Sequence, residues 1–179
     1  MRLQFAALAL LIGTTACSTV NIGEHTAASN YEGSPQRIFI LNQLDNFQHK
    51  SLPEDFATAI EPALAKCNVE ATVYRPNSME LDAEAKLRAA VQLFKPDAVL
   101  SLQLTHRLFQ GMSIQNESYT VTLYDALQKR QVWHEEIYTR GQMGFPYKDV
   151  VVGSLLADQL LRTMAADNII KTCPPFPPE

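Results

Sequence analysis

The sequence predicts an α+β domain with a single mixed, largely antiparallel sheet of about five strands and helices packed on one face. The predicted order is β-α-β-α-β-β-β-α. Hydrophobic residues make up 46% of the chain and charged residues 19%, as is typical of a folded globular domain. Apolar residues recur with a strand period in five segments and with a helix period in three, which gives this order of elements.

The first half of the predicted domain alternates strands with helices. The apolar run 37–44 is typical of a buried strand, and Ser51 with Glu54 resembles a capping box that starts a helix ending near Cys67. Residues 69–75 alternate as a strand does, and 80–94 carry apolar residues at helical spacing. A sheet that buries one side against helices accounts for this pattern.

The second half predicts three consecutive strands, 98–109, 114–127 and 131–140, followed by a helix over 148–170. Alternation in the first of them predicts one buried face, formed by Leu100, Leu102, Leu104 and Leu108. The same alternation predicts a wet face, formed by Ser101, Gln103, Thr105 and Arg107. One buried and one wet face are typical of an antiparallel sheet.

The N-terminal sixteen residues are typical of an export signal. Arg2 is followed by an apolar stretch over 3–12, too short to span a bilayer, and then by small residues. We therefore divide the chain into a signal peptide (1–16), Cys17 with a flexible tether (17–36), an α+β domain (37–171) and a proline-rich tail (172–179). As a flexible coil the tether would span on the order of 25 Å.

The run Gly13-Thr14-Thr15-Ala16-Cys17 resembles a bacterial lipobox. The resemblance implies that Cys17 is acylated, becomes the first mature residue and anchors the protein to a lipid bilayer. Ser18, which is not Asp, implies transport to the outer membrane, with the domain facing the periplasm. Thr14 stands where an aliphatic residue is usual, which leaves ordinary cleavage with an unmodified Cys17 as the alternative.

If Cys17 is acylated, two of the three cysteines remain, Cys67 and Cys173. In an oxidising compartment we expect them to form a disulfide that holds the tail to the domain; two buried free thiols are the alternative.

The element order resembles that of accessory domains in outer-membrane lipoproteins, including the penicillin-binding-protein activators, the curli-secretion lipoprotein and the N-terminal domain of the Tol translocation protein. The run 119–125 followed by Val132-Trp133 is the most motif-like part of the likeness. The resemblance implies a non-enzymatic accessory or assembly factor that binds another envelope protein, and it assigns no functional residue.

The sequence contains no recognisable catalytic constellation, and we expect neither a metal nor another cofactor. His134 and Glu136 share a strand face, where a solvated surface is the alternative to a ligand or acid–base role, and His106 stands among the inward leucines. Glu135 and Glu136 are adjacent in a strand and so point to opposite faces. A net charge of −4 without a basic cluster argues against nucleic-acid binding.

Two segments are candidates for partner binding. Met143, Phe145 and Tyr147 form an apolar loop that would insert into a partner's groove or pack on the following helix. The tail 174–178 is either a polyproline ligand or a strap over the fold. A second hypothesis assigns small-ligand or glycan binding to Ser101, Gln103, Thr105 and Arg107, and a third, an enzyme, would need a pocket joining a histidine to a carboxylate.

Overall fold

The computed structural model describes residues 19–44, 51–77, 79–110, 113–140 and 149–176. Within them, the strands are β1 (Thr19–Ala27), β2 (Arg37–Gln43), β3 (Glu70–Tyr74), β4 (Ala98–Gln110), β5 (Ser113–Asp125) and β6 (Arg130–Arg140). The helices are α1 (Leu52–Lys66), α2 (Ala83–Phe94) and α3 (Asp149–Ala166). The strands form one sheet in the order β1-β6-β5-β4-β2-β3, with β2 parallel to β3 and β4 and the other pairs antiparallel. None of the described helices has both the length and the apolar character needed to cross a bilayer.

The α+β class and the mixed sheet are confirmed, but the predicted number of strands and the element order are wrong. The sixth strand, β1, occupies part of the segment that the sequence assigned to a flexible tether. It pairs antiparallel with β6 from Thr19 opposite Arg140 to Ala27 opposite Trp133. Its own apolar alternation is short, so the strand depends on a pairing partner more than a hundred residues away.

Gly23 permits β1 to approach β6 closely. The register of the two strands shifts between Ile22 and His25, and Gly23 lies in that irregular stretch. A Cβ atom at Gly23 would lie 2.2 Å from Cε2 of Tyr138. A side chain at this position would therefore displace the Tyr138 ring and press on the Glu136 carbonyl, 3.0 Å away.

The hydrophobic core lies between one face of the sheet and helices α1 and α3. Strand residues of this face meet the apolar side of α1 and that of α3, and all are buried. The central members are Ile38, Ile40, Leu100, Leu102, Val121, Leu123, Ile137, Phe56, Ile60, Leu64, Leu156, Leu160 and Met164. The predicted inward positions of β4 therefore hold as far as Leu104, which is partly buried against this core.

The prediction that the helices pack on one face is wrong for α2, which lies on the opposite face. Phe39, between the inward Ile38 and Ile40, contacts the ring of Phe94 at 6.2 Å between centroids. The Arg37 guanidinium stacks on the same ring at 4.8 Å and donates a 2.6 Å hydrogen bond to the Phe94 carbonyl.

The handedness of parallel crossovers explains this placement. In the strand order β4-β2-β3, the crossover from β2 to β3 runs in one direction across the sheet. The crossover from β3 to β4 passes β2 and runs in the opposite direction. Crossovers between parallel strands are almost always right-handed, so two crossovers in opposite directions put their helices on opposite faces.

A β-bulge in β4 reverses the predicted faces of its last residues. The register with β5 shifts between Leu104, opposite Tyr119, and His106, opposite Ser118. One extra residue on one strand inverts the alternation that follows it. Arg107 therefore lies on the core side, against the prediction that it faces water, and Leu108 is exposed, against the prediction that it is buried.

Candidate functional site

The predicted lipid-bearing residue Cys17 and the predicted partner-binding residues Met143, Phe145 and Tyr147 lie outside the described residues. Acylation and docking through that loop therefore stay predictions. The sulfur atoms of Cys67 and Cys173 are 2.05 Å apart, at bonding distance.

The C-terminal strap (residues 171–176) lies over the end of α1 and along α3. Cys173 and Phe176 pack against the core, and the Thr172 hydroxyl donates to the carbonyl of Cys67. The Arg162 guanidinium on α3 stacks on the Phe176 ring at 5.2 Å. These contacts favour the strap over the free polyproline ligand.

The open face is the side of β4, β5 and β6 opposite the core. It carries Ser101, Gln103, Thr105, Thr120, Thr122, His134 and Glu136. The Ser101 hydroxyl lies 3.3 Å from the side-chain oxygen of Gln43, and the Thr105 and Thr120 hydroxyls lie 3.4 Å apart. These bonds join neighbours along the sheet.

The four residues proposed for ligand binding are not brought together. Ser101, Gln103 and Thr105 lie on the open face, but the bulge carries Arg107 to the core side. A shallow groove does exist elsewhere, at the β1–β6 edge. It is lined by Thr26, Ala28, Gln131, Val132, Trp133 and His134.

The histidines are placed in different surroundings. His106 is exposed opposite Ser118, which corrects its predicted place among the inward leucines. His134 and Glu136 share the open face, and Glu136 accepts a hydrogen bond from the Tyr138 hydroxyl. No group of three histidine, cysteine or acidic side chains among the described residues is arranged to hold a metal ion.

A buried ionic cluster lies where β4 and β5 continue beyond the bulge. The Arg107 Nε donates to Oε1 of Glu117 at 2.7 Å, and the Tyr119 hydroxyl donates to its other oxygen at 2.6 Å. Burial, followed by the Glu117 carboxylate, raises the pKa of Tyr119 above its ordinary value. The arginine supplies the charge that a carboxylate needs when it is removed from water.

A second cluster, buried at Glu135 and open to solvent at His25, lies between β6, β1 and the end of α3. Oδ2 of Asp167 accepts a 2.7 Å hydrogen bond from the Trp133 indole and lies 2.9 Å from Nδ1 of His25. Glu135 is 0% exposed, and neither of its carboxylate oxygens accepts a hydrogen bond of normal geometry from a described residue.

The pKa of Glu135 is raised from 4.5 to about 7, and desolvation by burial is the largest cause. The Thr163 hydroxyl and His25 oppose the rise in part, whereas the negative charge of Asp167 contributes to it. The strand alternation places Glu135 in the inward row of Trp133 and Ile137, so its burial is predictable from the sequence pattern of β6. Because Glu135 has no contact with solvent, we expect its protonation to affect the stability of the fold and not the binding of a dissolved substrate.

No protein-family model and no curated protein matches this sequence. Among solved structures, the PelC dodecamer from Paraburkholderia phytofirmans matches with a TM-score of 0.52 and 12% identity, over 88% of this chain and 100% of that chain. Lipoprotein GNA1162 from Neisseria meningitidis matches with a TM-score of 0.41 and 14% identity, over 73% of this chain and 97% of that one. The PelC match shows a shared fold, and the lower-scoring one carries no further argument.

Proposed function

We propose that this chain is an outer-membrane lipoprotein whose domain faces the periplasm and acts as a non-enzymatic accessory or assembly factor. It works by contacting other envelope proteins. The lipobox-like residues 13–17 support the anchored part of this proposal.

The open face is the observation that carries the contact function. Helices α1 and α3 cover one side of the sheet, whereas α2 packs beside Phe39 at the β2–β3 end of the other side. The remaining strands present a mainly polar surface that also includes the exposed Tyr124 and Tyr138. Because its hydroxyls bond to neighbours along the sheet and do not converge on one point, this surface suits a protein partner better than a small molecule. The fold is shared with a protein that crystallised as a dodecamer, so a second copy of this chain is one partner that the fold permits.

The alternative function, binding of a small ligand or glycan by the polar face, has less support. It relied on four side chains on one surface, and the most strongly polar of them, Arg107, is paired with Glu117 on the other side. We therefore keep protein contact as the proposed function.

Intact mass spectrometry of membrane-extracted protein tests the anchor. We expect the chain to begin at residue 17 with a mass increment from acyl groups, and Cys17→Ser to abolish both the increment and membrane retention. A mature chain with an unmodified Cys17 would overturn the anchored part of the proposal.

Site-specific photo-crosslinking in intact cells tests the contact surface. A photoreactive residue replaces Gln103 on the open face or, as a matched control, the exposed Gln92 on α2. We expect a discrete product from position 103 alone, and we expect Thr120→Arg, which adds bulk and charge to the same face, to remove it. Equal products from both positions, or persistence of the product with Thr120→Arg, would contradict the assignment of the surface.

A further inference from the structure

One end of the sheet brings the start of β1 level with the β4–β5 hairpin. Thr19 pairs with Arg140, Arg140 with Asn116, and Asn116 with Leu108, so these four residues mark a line across four strands. We call the part of β4 and β5 beyond this line, as far as Gln110 opposite Ser113, the hairpin end.

The chain reaches β1 from the side on which the hairpin end projects. Cys17 precedes Thr19 by two residues, so its Cα lies at most about 7 Å from that of Thr19. From Leu108 to Gln110, β4 also advances by two residues, or about 7 Å. Because Thr19 and Leu108 stand at the same level, a lipid attached within this distance of Thr19 belongs to the same end of the sheet as the hairpin end.

Two adjacent apolar side chains are exposed at this level. Leu108 is 47% exposed and Phe109 is 46% exposed, although the outward residues that come shortly before the bulge in the same strand, Ser101 and Gln103, are polar. A leucine and an aromatic ring at one end of a sheet are well suited to the boundary between headgroups and acyl chains. The net charge of −4 offers no general attraction to anionic headgroups, so a contact with lipid here depends on apolar area.

We propose that the hairpin end is a membrane-contact surface, in which Leu108 and Phe109 enter the bilayer interface beside the acylated N-terminus. This inference rests on the proposed anchor at Cys17. It adds that the short link and the hairpin together fix the domain against the bilayer, with the sheet upright and the turn between β5 and β6 directed away from it. Two points of contact orient a domain, whereas a lipid on a long tether does not.

Depth-dependent fluorescence quenching tests this surface. The full lipidated chain with Phe109→Trp is reconstituted into vesicles of phosphatidylethanolamine and phosphatidylglycerol, with or without brominated acyl chains. The matched control is Leu127→Trp, which is also exposed but lies in the turn after β5, at the opposite end of the sheet. Emission from the native Trp133, the single tryptophan of the chain, is subtracted using the parent protein.

We expect the indole introduced by Phe109→Trp to emit at shorter wavelength on vesicles and to be quenched by brominated lipid. We expect neither effect for the indole introduced by Leu127→Trp.

Flotation of the protein with the vesicles tests the anchor separately. If the protein floats but the Phe109→Trp emission is not quenched, the membrane-contact surface is wrong while the anchor stands. If the chain isolated from cell membranes carries no lipid by mass, the anchor fails and this inference fails with it. If Phe109→Trp is shielded only when copies associate in detergent, the surface is an interface between copies and the inference is wrong.

Discussion

The guanidinium Nε of Arg107 lies 2.7 Å from Oε1 of Glu117 on the buried side of the sheet. The Glu117 side chain is 1% exposed and that of Arg107 is 11% exposed, so solvent screens the pair poorly. The β4 bulge creates this relationship, because without the shift after Leu104 the guanidinium would point to the open face.

Replacement of Arg107 by methionine should destabilise the domain. Arg107→Met keeps most of the aliphatic bulk but removes the charge that balances a buried carboxylate, and we expect a loss of about 3 kcal/mol in the free energy of unfolding. Urea unfolding at pH 7 measures this, using a chain from residue 17 that carries Cys17→Ser. Arg88→Met is the control, because Arg88 forms an exposed pair with Glu84 and should cost less than about 0.5 kcal/mol. Equal losses from the two variants would contradict the importance of the buried pair.

Glu135 should make the stability of the domain fall as the pH rises. The unfolded carboxyl loses its proton near the ordinary pKa of 4.5, whereas burial holds the folded pKa at about 7. Below pH 4.5 both states are protonated and the group has no effect. Between these two values the unfolded state releases its proton first, so the folded state loses stability until the pH passes the folded pKa. The shift corresponds to roughly 3 kcal/mol above pH 7.

The variant Glu135→Gln removes this titration while it keeps the shape of the side chain. We expect it to match the parent near pH 4 and to be more stable by up to about 3 kcal/mol at pH 8. Urea unfolding at half-unit pH steps gives the difference, and Glu136→Gln, its neighbour on the open face, controls for the loss of one charge. A parent-to-variant difference that is the same at pH 4 and pH 8 would show that Glu135 does not titrate in this range.

The pair Cys67 and Cys173 should contribute strongly to stability. The two residues are 106 positions apart, so a bond between them restricts most of the unfolded domain. The chain-entropy model gives a stabilisation of about 4.7 kcal/mol for such a loop. Unfolding midpoints with and without dithiothreitol measure it, and reductant should lower the stability of the parent to that of the double variant Cys67→Ser, Cys173→Ser. A response of the double variant to reductant would assign the effect to something other than this bond.

The α+β class and the inward row of β4 could be predicted because they depend on local periodicity. Leu100 and Leu102 alternate with polar residues, and the structure buries both leucines. The alternation carries no information about a register shift, so it fails for Arg107 and Leu108 after the bulge. The shift is decided by the pairing with β5, where His106 meets Ser118.

The strand β1 and the position of α2 depend on contacts between distant parts of the chain. The stretch around Val20 and Ile22 is too short to identify a strand alone, and its pairing with β6 supplies the missing stabilisation. The side on which α2 packs follows from the strand order β4-β2-β3 and the right-handed crossover, but that order is not visible in the sequence. Of the candidate sites, the burial of Glu135 follows from the alternation of β6, whereas the exposure of Phe109 at the hairpin end does not follow from the alternation of β4.

Gly153 should be required for the close packing of α3 against α1. A Cβ atom at this position would lie 2.8 Å from Cβ of Asp55 and 2.8 Å from the backbone nitrogen of Phe56. Because the second of these atoms is backbone, Gly153→Ala cannot be accommodated by a side-chain rotation and must separate the helices. Helix propensity alone predicts a gain of up to about 1 kcal/mol from this substitution, and overpacking predicts a loss of about 1–3 kcal/mol. We expect a net loss in urea unfolding, together with faster amide exchange in both α1 and α3. An increase in stability would mean that the two helices are free to move apart without cost, contrary to the tight contact between them.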